Sequence, residues 1–263
     1  MIIHDRNFDD LTHRFERNIY GSAKGELRLA VVWAHLLQTM PQLSAGQPLR
    51  ILDAGCGLGQ MGVRLAQMGH EVVLADISQN MLDKTSALFA AQLPEVVPQL
   101  KHQSIQTFTA DEIGAFDLII FHAVLEWLAS PQPTLHYILS SMAVDAKLSL
   151  MFYNRDALVY RNLLRGNWRK LEQATLQGDP GGLTPHHPLS LDEVEDIVRQ
   201  SGLNVAVRGR MGVRVLYDYM ERALRESRPF EEVLKLEMRY GGEAAYIRLG
   251  RYIHLLLHKE SMV

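Results

Sequence analysis

Cysteine is nearly missing from this sequence: Cys56 is the one example in 263 residues. No intrachain disulfide can form, and the chain suits a reducing compartment. Long apolar runs are missing too, since nothing approaches the roughly 20 residues of a membrane span. The opening stretch MIIHDRNFDDLTHRFERN is charged almost from its start and lacks the apolar centre of a secretion signal, so a cytoplasmic protein with no membrane partner is expected. Neither charge dominates: 27 Lys and Arg stand against 30 Asp and Glu, a formal net charge of -3. That balance excludes a global attraction to nucleic acid and leaves only local basic patches to bind a phosphate backbone. Internal repeats and low-complexity tracts are absent. With 47% hydrophobic and 22% charged residues, disordered and fibrous classes are excluded. The doublet His186-His187 has no companion Cys or acid at ligand spacing, so no metal is expected.

What is present is an alternation of strand and helix signals within a single domain spanning 1-263. An N-terminal helical region (1-45) places Leu27, Val31, Ala34 and Leu37 at helical spacing. The apolar run Leu49-Leu52 then reads as a first strand. Met61, Leu65 and Met68 share a helical face that Gly69 ends, and Glu71-Ala75 reads as a buried second strand, completing a βαβ unit. Leu82, Thr85, Leu88 and Phe89 mark another helix, Asp117-Phe121 a strand, Leu135 to Met142 a helix, and Leu148-Phe152 a strand. Ser190 and Glu193 form a capping box that opens a helix stopping near Gly202. Further strands fall near Asn204-Arg208 and Tyr252-His258. This alternation predicts an α/β fold with a doubly wound, mostly parallel sheet. Two stretches, 155-189 and 214-247, are too long for ordinary connections. In the second, Leu216, Met220, Ala223 and Leu224 suggest one helix, and Pro229-Phe230-Glu231 begins another. Both are expected as helical insertions at the carboxyl edge of the sheet, where open α/β folds bind ligands, and as candidates for a substrate lid.

The first strand runs into Asp53-Ala54-Gly55-Cys56-Gly57-Leu58-Gly59, which opens the first helix of the βαβ unit. Glycines there allow a sharp turn and a close approach of backbone to ligand. Asp76 ends the second strand 23 residues after Asp53, where an acid can accept hydrogen bonds from both hydroxyls of an adenosine ribose. The third glycine comes one residue earlier than in the dinucleotide fingerprint, and an acid precedes the first. A dinucleotide needs the helix N-terminus for its pyrophosphate. S-adenosylmethionine carries an ammonium and a sulfonium, and benefits from a carboxylate such as Asp53. Cys56 is expected to fill a tight loop, not to act as a nucleophile. His122 either flanks the cofactor or satisfies its hydrogen bonds within the core, and Trp127 suits a core or cofactor-packing position.

LDAGCGLG (52-59) resembles motif I of class I methyltransferases, and ADIS (75-78) their following acidic motif; that class implies a seven-stranded sheet. The blocks DRNFDD (5-10), RNIYG (17-21), KGELR (24-28), FHAVLEWL (121-128), LSLMFYN (148-154), GVRV (212-215) and LGRYIH (249-254) resemble the bacterial tRNA 5-carboxymethoxyuridine methyltransferases nearly end to end. Cys56 and Leu58 depart from the small or acidic residues of that motif without removing a glycine. The resemblance implies cofactor contacts at Arg28, Gly55, Gly57, Asp76 and His122, and places Ser104 and Ile105 near the adenine. It implies transfer of a methyl group to the carboxylate of 5-carboxymethoxyuridine at the tRNA wobble position.

Such a carboxylate is about 99.9% ionised at pH 7 and needs no general base, so alignment and exclusion of water become the requirements. Arginine suits the orienting role through its bidentate fork. Arg210 and Arg214 lie near the exit of a predicted strand, and Arg214, within a family block, is the favoured clamp; the bland alternative is an ion pair with Asp218. Tyr153 and Asn154 are the other substrate-facing candidates. If 155-170 is helical, Arg161, Arg165 and Arg169 recur every four residues as a stripe for phosphates, with Trp168 and Tyr160 available to stack on an anticodon base. Two other readings stay open: a methyltransferase for a small carboxylic acid or other metabolite, and a cofactor-binding module without transferase activity.

Overall fold

The computed structural model describes residues 4-11, 22-172 and 185-261. The RNIYG block and residues 173-184 of the first insertion therefore lie outside the described residues, as does the Lys170 side chain. Helix α1 (Ala23–Thr39) precedes strand β1 (Arg50–Ala54), α2 (Gln60–Gln67), β2 (Glu71–Asp76), α3 (Gln79–Gln92), β3 (Gln99–His102) and α4 (Ala110–Gly114). Then follow β4 (Leu118–His122), α5 (Pro131–Ser141), β5 (Lys147–Tyr153), α6 (Arg155–Leu164) and α7 (Trp168–Glu172). The chain closes with α8 (Leu191–Gln200), β6 (Val205–Val213), α9 (Arg222–Ser227), α10 (Phe230–Gly241), α11 (Ala244–Ile247) and β7 (Tyr252–Lys259).

The seven strands form one sheet in the order β3-β2-β1-β4-β5-β7-β6. Pairings from β3 to β5 are parallel, while β7 is antiparallel to both of its neighbours. The doubly wound expectation thus holds, with the last strand in sequence inserted in reverse. Side-chain alternation along the strands splits the core in two. Leu52, Ile119 and Phe121 pack with α5 and α8 through Leu135, Ile138, Val194 and Ile197. Ile51, Leu118 and Ile120 pack with α1, α2 and α3 through Leu27, Val31, Leu65, Leu82 and Phe89. Because β1 and β4 are covered on both faces, they read as continuous apolar runs.

Local signals account for the helix ends. Ser190 and Glu193 make the reciprocal capping box at the start of α8, and Gly202 follows its end at φ 69°. A second box, Thr109 with Glu112, opens α4. Several expectations need correction. In α1 the buried face runs through Leu27, Val31, Val32 and Leu36; Ala34 and Leu37 are only half-buried. Residues 214-220 are turns, so Leu216 and Met220 do not share a helix with Ala223. The Glu237 carboxylate accepts the backbone N–H groups of Val215, Leu216 and Tyr217, and the N–H groups of Tyr219 and Met220 both donate to Leu216 O, so the segment closes a single turn and stops. The helix expected across 155-170 breaks at Arg165-Asn167, with Gly166 at φ 70°. Arg161, Arg165 and Arg169 therefore do not form one continuous stripe. The edge strand β3, half exposed and without an apolar alternation, carried no signal that placed it.

Candidate active site

Strands β1, β2 and β4 end together at the carboxyl edge, and one cavity of about 1140 Å³, counting its open mouth, sits over those ends. The turn after β1 forms its floor. Gly55, Gly57 and Gly59 all adopt positive φ, at 74°, 54° and 72°. A β-carbon on Gly55 would come within 2.3 Å of Val124, and one on Gly59 within 2.5 Å of Thr85. Glycine is required here by both conformation and space. Gly59 precedes the first turn of α2, and the whole loop is held to the next strand because the N–H groups of Gly55 and Cys56 both donate to Ala75 O.

Two carboxylates stand at this floor. Asp76 accepts from the N–H of Gly57 and the N–H of Ser78, each at 2.9 Å. Each of its oxygens keeps a second lone pair, and burial raises its pKa. Asp53 is almost wholly buried, its Oδ2 has no partner, and burial together with the charge of Asp76 pushes its pKa up to about 7. Cys56, also buried, has its thiol pushed well above the ordinary range, chiefly by burial. It is packing in a turn, not a nucleophile.

His122 ends β4 and lines the same cavity. Its Nε2 lies 2.8 Å from Ser149 Oγ, which lies 2.7 Å from His254 Nε2, and His254 Nδ1 lies 2.7 Å from His35 Nδ1. A chain of hydrogen bonds thus crosses β4, β5 and β7 to α1. Burial lowers all three imidazole pKa values, to about 3 for His122 and about 4 for His35. All three are neutral at pH 7, and neutral rings can alternate donor and acceptor along the chain. One end of the His122 ring is satisfied in the core, and the residue also lines the cavity.

Arg28, Ser104 and Ile105 complete the predicted cofactor set, and all of them line this cavity with Asp53, Gly55, Gly57, Asp76 and His122. The three substrate candidates do not line it. Asn154 caps α6: its side chain accepts from Asp156 N–H and donates to Arg248 O and Gly250 O. The amide is wholly buried and bonded to scaffold, so Asn154 serves here as a helix cap away from the cavity. Tyr153 is buried with an unpartnered hydroxyl. Arg214 follows β6 at φ 63°, is buried, and donates from Nη2 to Asp218 at 2.5 Å. The expected ion pair with Asp218 is present. Arg210 lies within β6 and pairs with Glu195 at 2.6 Å.

Sequence reasoning missed part of the cavity wall. Asp5, Arg6 and Phe8 lie across it, held because Asp5 accepts from Ala129 N–H and Gln106 Nε2, both at 2.8 Å, and Asp9 accepts from Ser78 Oγ at 2.5 Å. Phe8 meets Trp127 edge-on at 4.8 Å. Glu126 was missed as well. It is buried, accepts Tyr153 N–H at 3.1 Å, and burial raises its pKa to about 8. An acid inside the apolar run FHAVLEWL was the available signal.

Comparison with known proteins now decides the family. Residues 52–148 match a family model described as a methyltransferase domain. The tRNA 5-carboxymethoxyuridine methyltransferase of Escherichia coli (strain K12) is 37% identical over 255 residues, covering 97% of each chain. The chain belongs to the tRNA 5-carboxymethoxyuridine methyltransferase family. Solved structures agree on the fold. Magnesium protoporphyrin IX methyltransferase from Synechocystis PCC 6803, solved with bound SAH, superposes with a TM-score of 0.62 at 18% identity, covering 97% of this chain and 96% of that one. The plantazolicin methyltransferase BpumL, also solved with SAH, gives 0.58 at 16% identity, covering 93% and 90%. In this member of the methyltransferase family, the matched domain contains the end of β1, the glycine turn, β2 and β4. Arg28 and Arg214 stand outside it, on the parts of the chain that the long E. coli match adds. Among the described residues no helix is long and apolar enough to cross a membrane, and no cluster of His, Cys, Asp and Glu could hold a metal ion.

Proposed function

We propose that this enzyme transfers a methyl group from S-adenosylmethionine to the carboxylate of 5-carboxymethoxyuridine at the wobble position of tRNA, in the cytoplasm, forming the methyl ester. The observation that carries the reading is the near end-to-end likeness to the E. coli enzyme of that name. The cavity residues fit the cofactor on two features of this structure. Asp53 lines the cavity with a carboxyl whose pKa is raised by burial and which a cation would return to the ionised form, and Gly55 turns there at φ 74° with no side chain on the cavity floor. Asp76 would accept the ribose hydroxyls, with Ser104 and Ile105 beside the adenine and Arg28 and His122 along the remaining wall.

The cofactor supplies a methyl group on a sulfonium: the O–CH3 bond forms with a carboxylate electron pair, the S–CH3 bond breaks toward sulfur, and both charges vanish without any proton moving. The protein therefore has to orient, desolvate and align. Alignment of this kind is worth about 7–11 kcal/mol. The neutral state of His122 suits a reaction that needs no base. Arg214 and Tyr153 are the orienting groups for the carboxylate. The helices α6 and α7 leave the carboxyl edge after β5 and expose Trp168, at 64%, beside Arg165 and Arg169. With α9, α10 and α11 these are the substrate-covering insertions, and Trp168 is placed to stack on an unpaired anticodon base. Mass spectrometry of tRNA nucleosides from cells lacking the protein tests the reading. Loss of the methyl ester with build-up of the free acid is expected; an unchanged nucleoside profile would overturn it.

A further inference from the structure

A second group of buried polar atoms lacks partners among the described residues. Nε of Arg161, Nε of Arg214, Nη1 of Arg251 and the hydroxyl of Tyr153 are all shielded from solvent with no hydrogen bond. They belong to one neighbourhood. The Arg251 guanidinium lies 4.5 Å from the centre of the Tyr153 ring, Tyr153 meets Tyr252 edge-on at 5.4 Å, and Arg214 lies 5.7 Å from the Tyr252 ring. Asp218 feels the charges of Arg214, Arg251 and Arg161 together, and Lys24, at the start of α1, feels Asp218, Arg214 and Arg161.

All four orphaned atoms can donate, and the three guanidinium nitrogens can do nothing else. The Asp218 carboxylate donates nothing and, among the described residues, bonds only Nη2 of Arg214, so the four atoms stay unpaired beside it, and its single negative charge faces three guanidinium groups. Glu237, the next acid, is occupied by three backbone N–H groups. Burying donors around an excess of positive charge is unfavourable unless an anion enters. Tyr153 and Arg214 are nine-tenths or more buried, while Arg161 and Arg251 are half-buried with the named nitrogens turned away from solvent.

We propose that Tyr153, Arg161, Arg214 and Arg251 form an oxyanion pocket for the carboxylate of the base being methylated. The assignment rests on the tRNA reading above and adds Arg251 and Arg161 to it. A backbone phosphate is the weaker candidate on geometry. Tyr252 carries Arg214 at 5.7 Å from its ring and Arg28 at 5.6 Å, and Arg28 lines the cofactor cavity. One aromatic ring therefore joins the donors to the methyl donor's site, and the reacting carboxylate has to lie beside that site. The ester product has lost the charge, so the same donors would hold substrate and release product.

The test compares two forms of one tRNA, bearing carboxymethoxyuridine or plain uridine at the wobble position, for the wild type, Arg251→Met and Tyr153→Phe. Filter binding at fixed salt gives the tRNA affinities, and calorimetry gives that of S-adenosylmethionine. The wild type should bind the acid-bearing tRNA at least about tenfold more tightly, the scale of one charge-assisted hydrogen bond. Both variants should bring the two affinities together while plain tRNA and cofactor binding change less than about twofold, and Arg251→Lys should restore part of the difference. Equal weakening on both tRNAs would mean a phosphate site and overturn the proposal, as would loss of cofactor affinity or no change at all. Should the wild type methylate no tRNA, the function reading fails by itself. The pocket is then judged by acetate: a rise in melting temperature for the wild type that Arg251→Met abolishes supports it, and no rise overturns it.

Discussion

Asp53 and Asp76 end adjacent strands, yet the protein treats them differently. Asp76 receives two backbone N–H groups, whereas Oδ2 of Asp53 has no partner among the described residues and burial pushes its pKa up to about 7. A cationic ligand favours the ionised form of Asp53, so cofactor affinity should be full above about pH 7 and fall below it. The loss should reach about tenfold at pH 6 if binding draws the pKa well down. Calorimetry at pH 6, 7 and 8 checks this, and Asp53→Asn should flatten the profile. Asp76→Ala should weaken cofactor binding by about a hundredfold, the size of one or two hydrogen bonds to a charged group. For Arg214→Ala the expectation is different: methyl transfer should fall by about a hundredfold or more while the cofactor Kd stays within about threefold. Equal damage to both would remove Arg214 from the substrate side. His122 was legible as a cavity candidate from its place after an apolar strand. The chain through Ser149 and His254 to His35 was not, because its members are separated by up to 219 residues in sequence.

Elements differ in how much of themselves they announced. Helix α8 was legible because its capping box is local, and Ser190→Ala should cost about 1 kcal/mol, read as a lower denaturation midpoint with unchanged slope. The segment Asp5 to Asp9 was read as part of the N-terminal helical region, but residues 5-8 are not helical, since their order comes from Ala129, Gln106 and Ser78 far along the chain. Replacing Phe8 by Ala should speed cofactor dissociation on the order of tenfold, as for a strap that covers a site, with little change in melting temperature. Stopped-flow chase with unlabelled cofactor would measure it; an unaltered off-rate would show that the strap does not cover the ligand. The turns at 214-220 looked helical because Leu216, Met220 and Ala223 have helical spacing. Periodicity did not register that the segment is pinned through three backbone N–H groups to Glu237 of a later helix and closes only one turn.

At the scale of the whole molecule, a net charge of -3 means that tRNA has to be captured by a local positive region and not by the overall field. Binding should weaken as salt rises, and Arg165→Ala and Arg169→Ala should each lower the salt slope by about 0.7–0.9. Affinity measured against salt concentration checks this, and unchanged slopes would move the contact surface elsewhere. The same scale explains why substrate residues were harder to place than cofactor residues. The cofactor cavity is built largely by three neighbouring strands whose turns carry their own glycine and aspartate signals. The oxyanion pocket is assembled from β5, α6, the turn after β6 and the approach to β7, so no stretch of sequence contains it.

By itself, the sequence determined what neighbouring residues decide among themselves: the apolar strands, the capped helices, and a glycine turn that only a backbone without β-carbons can make. It also placed Asp76 at a strand end, because strand length is written in the apolar run before it. Tertiary structure alone decided which distant groups face one another and which remain unpaired. Asn154 became a helix cap, Arg210 an ion-pair partner, and Nη1 of Arg251 a donor without an acceptor among the described residues, because hydrogen-bonding capacity is allotted by proximity in space and not by order along the chain.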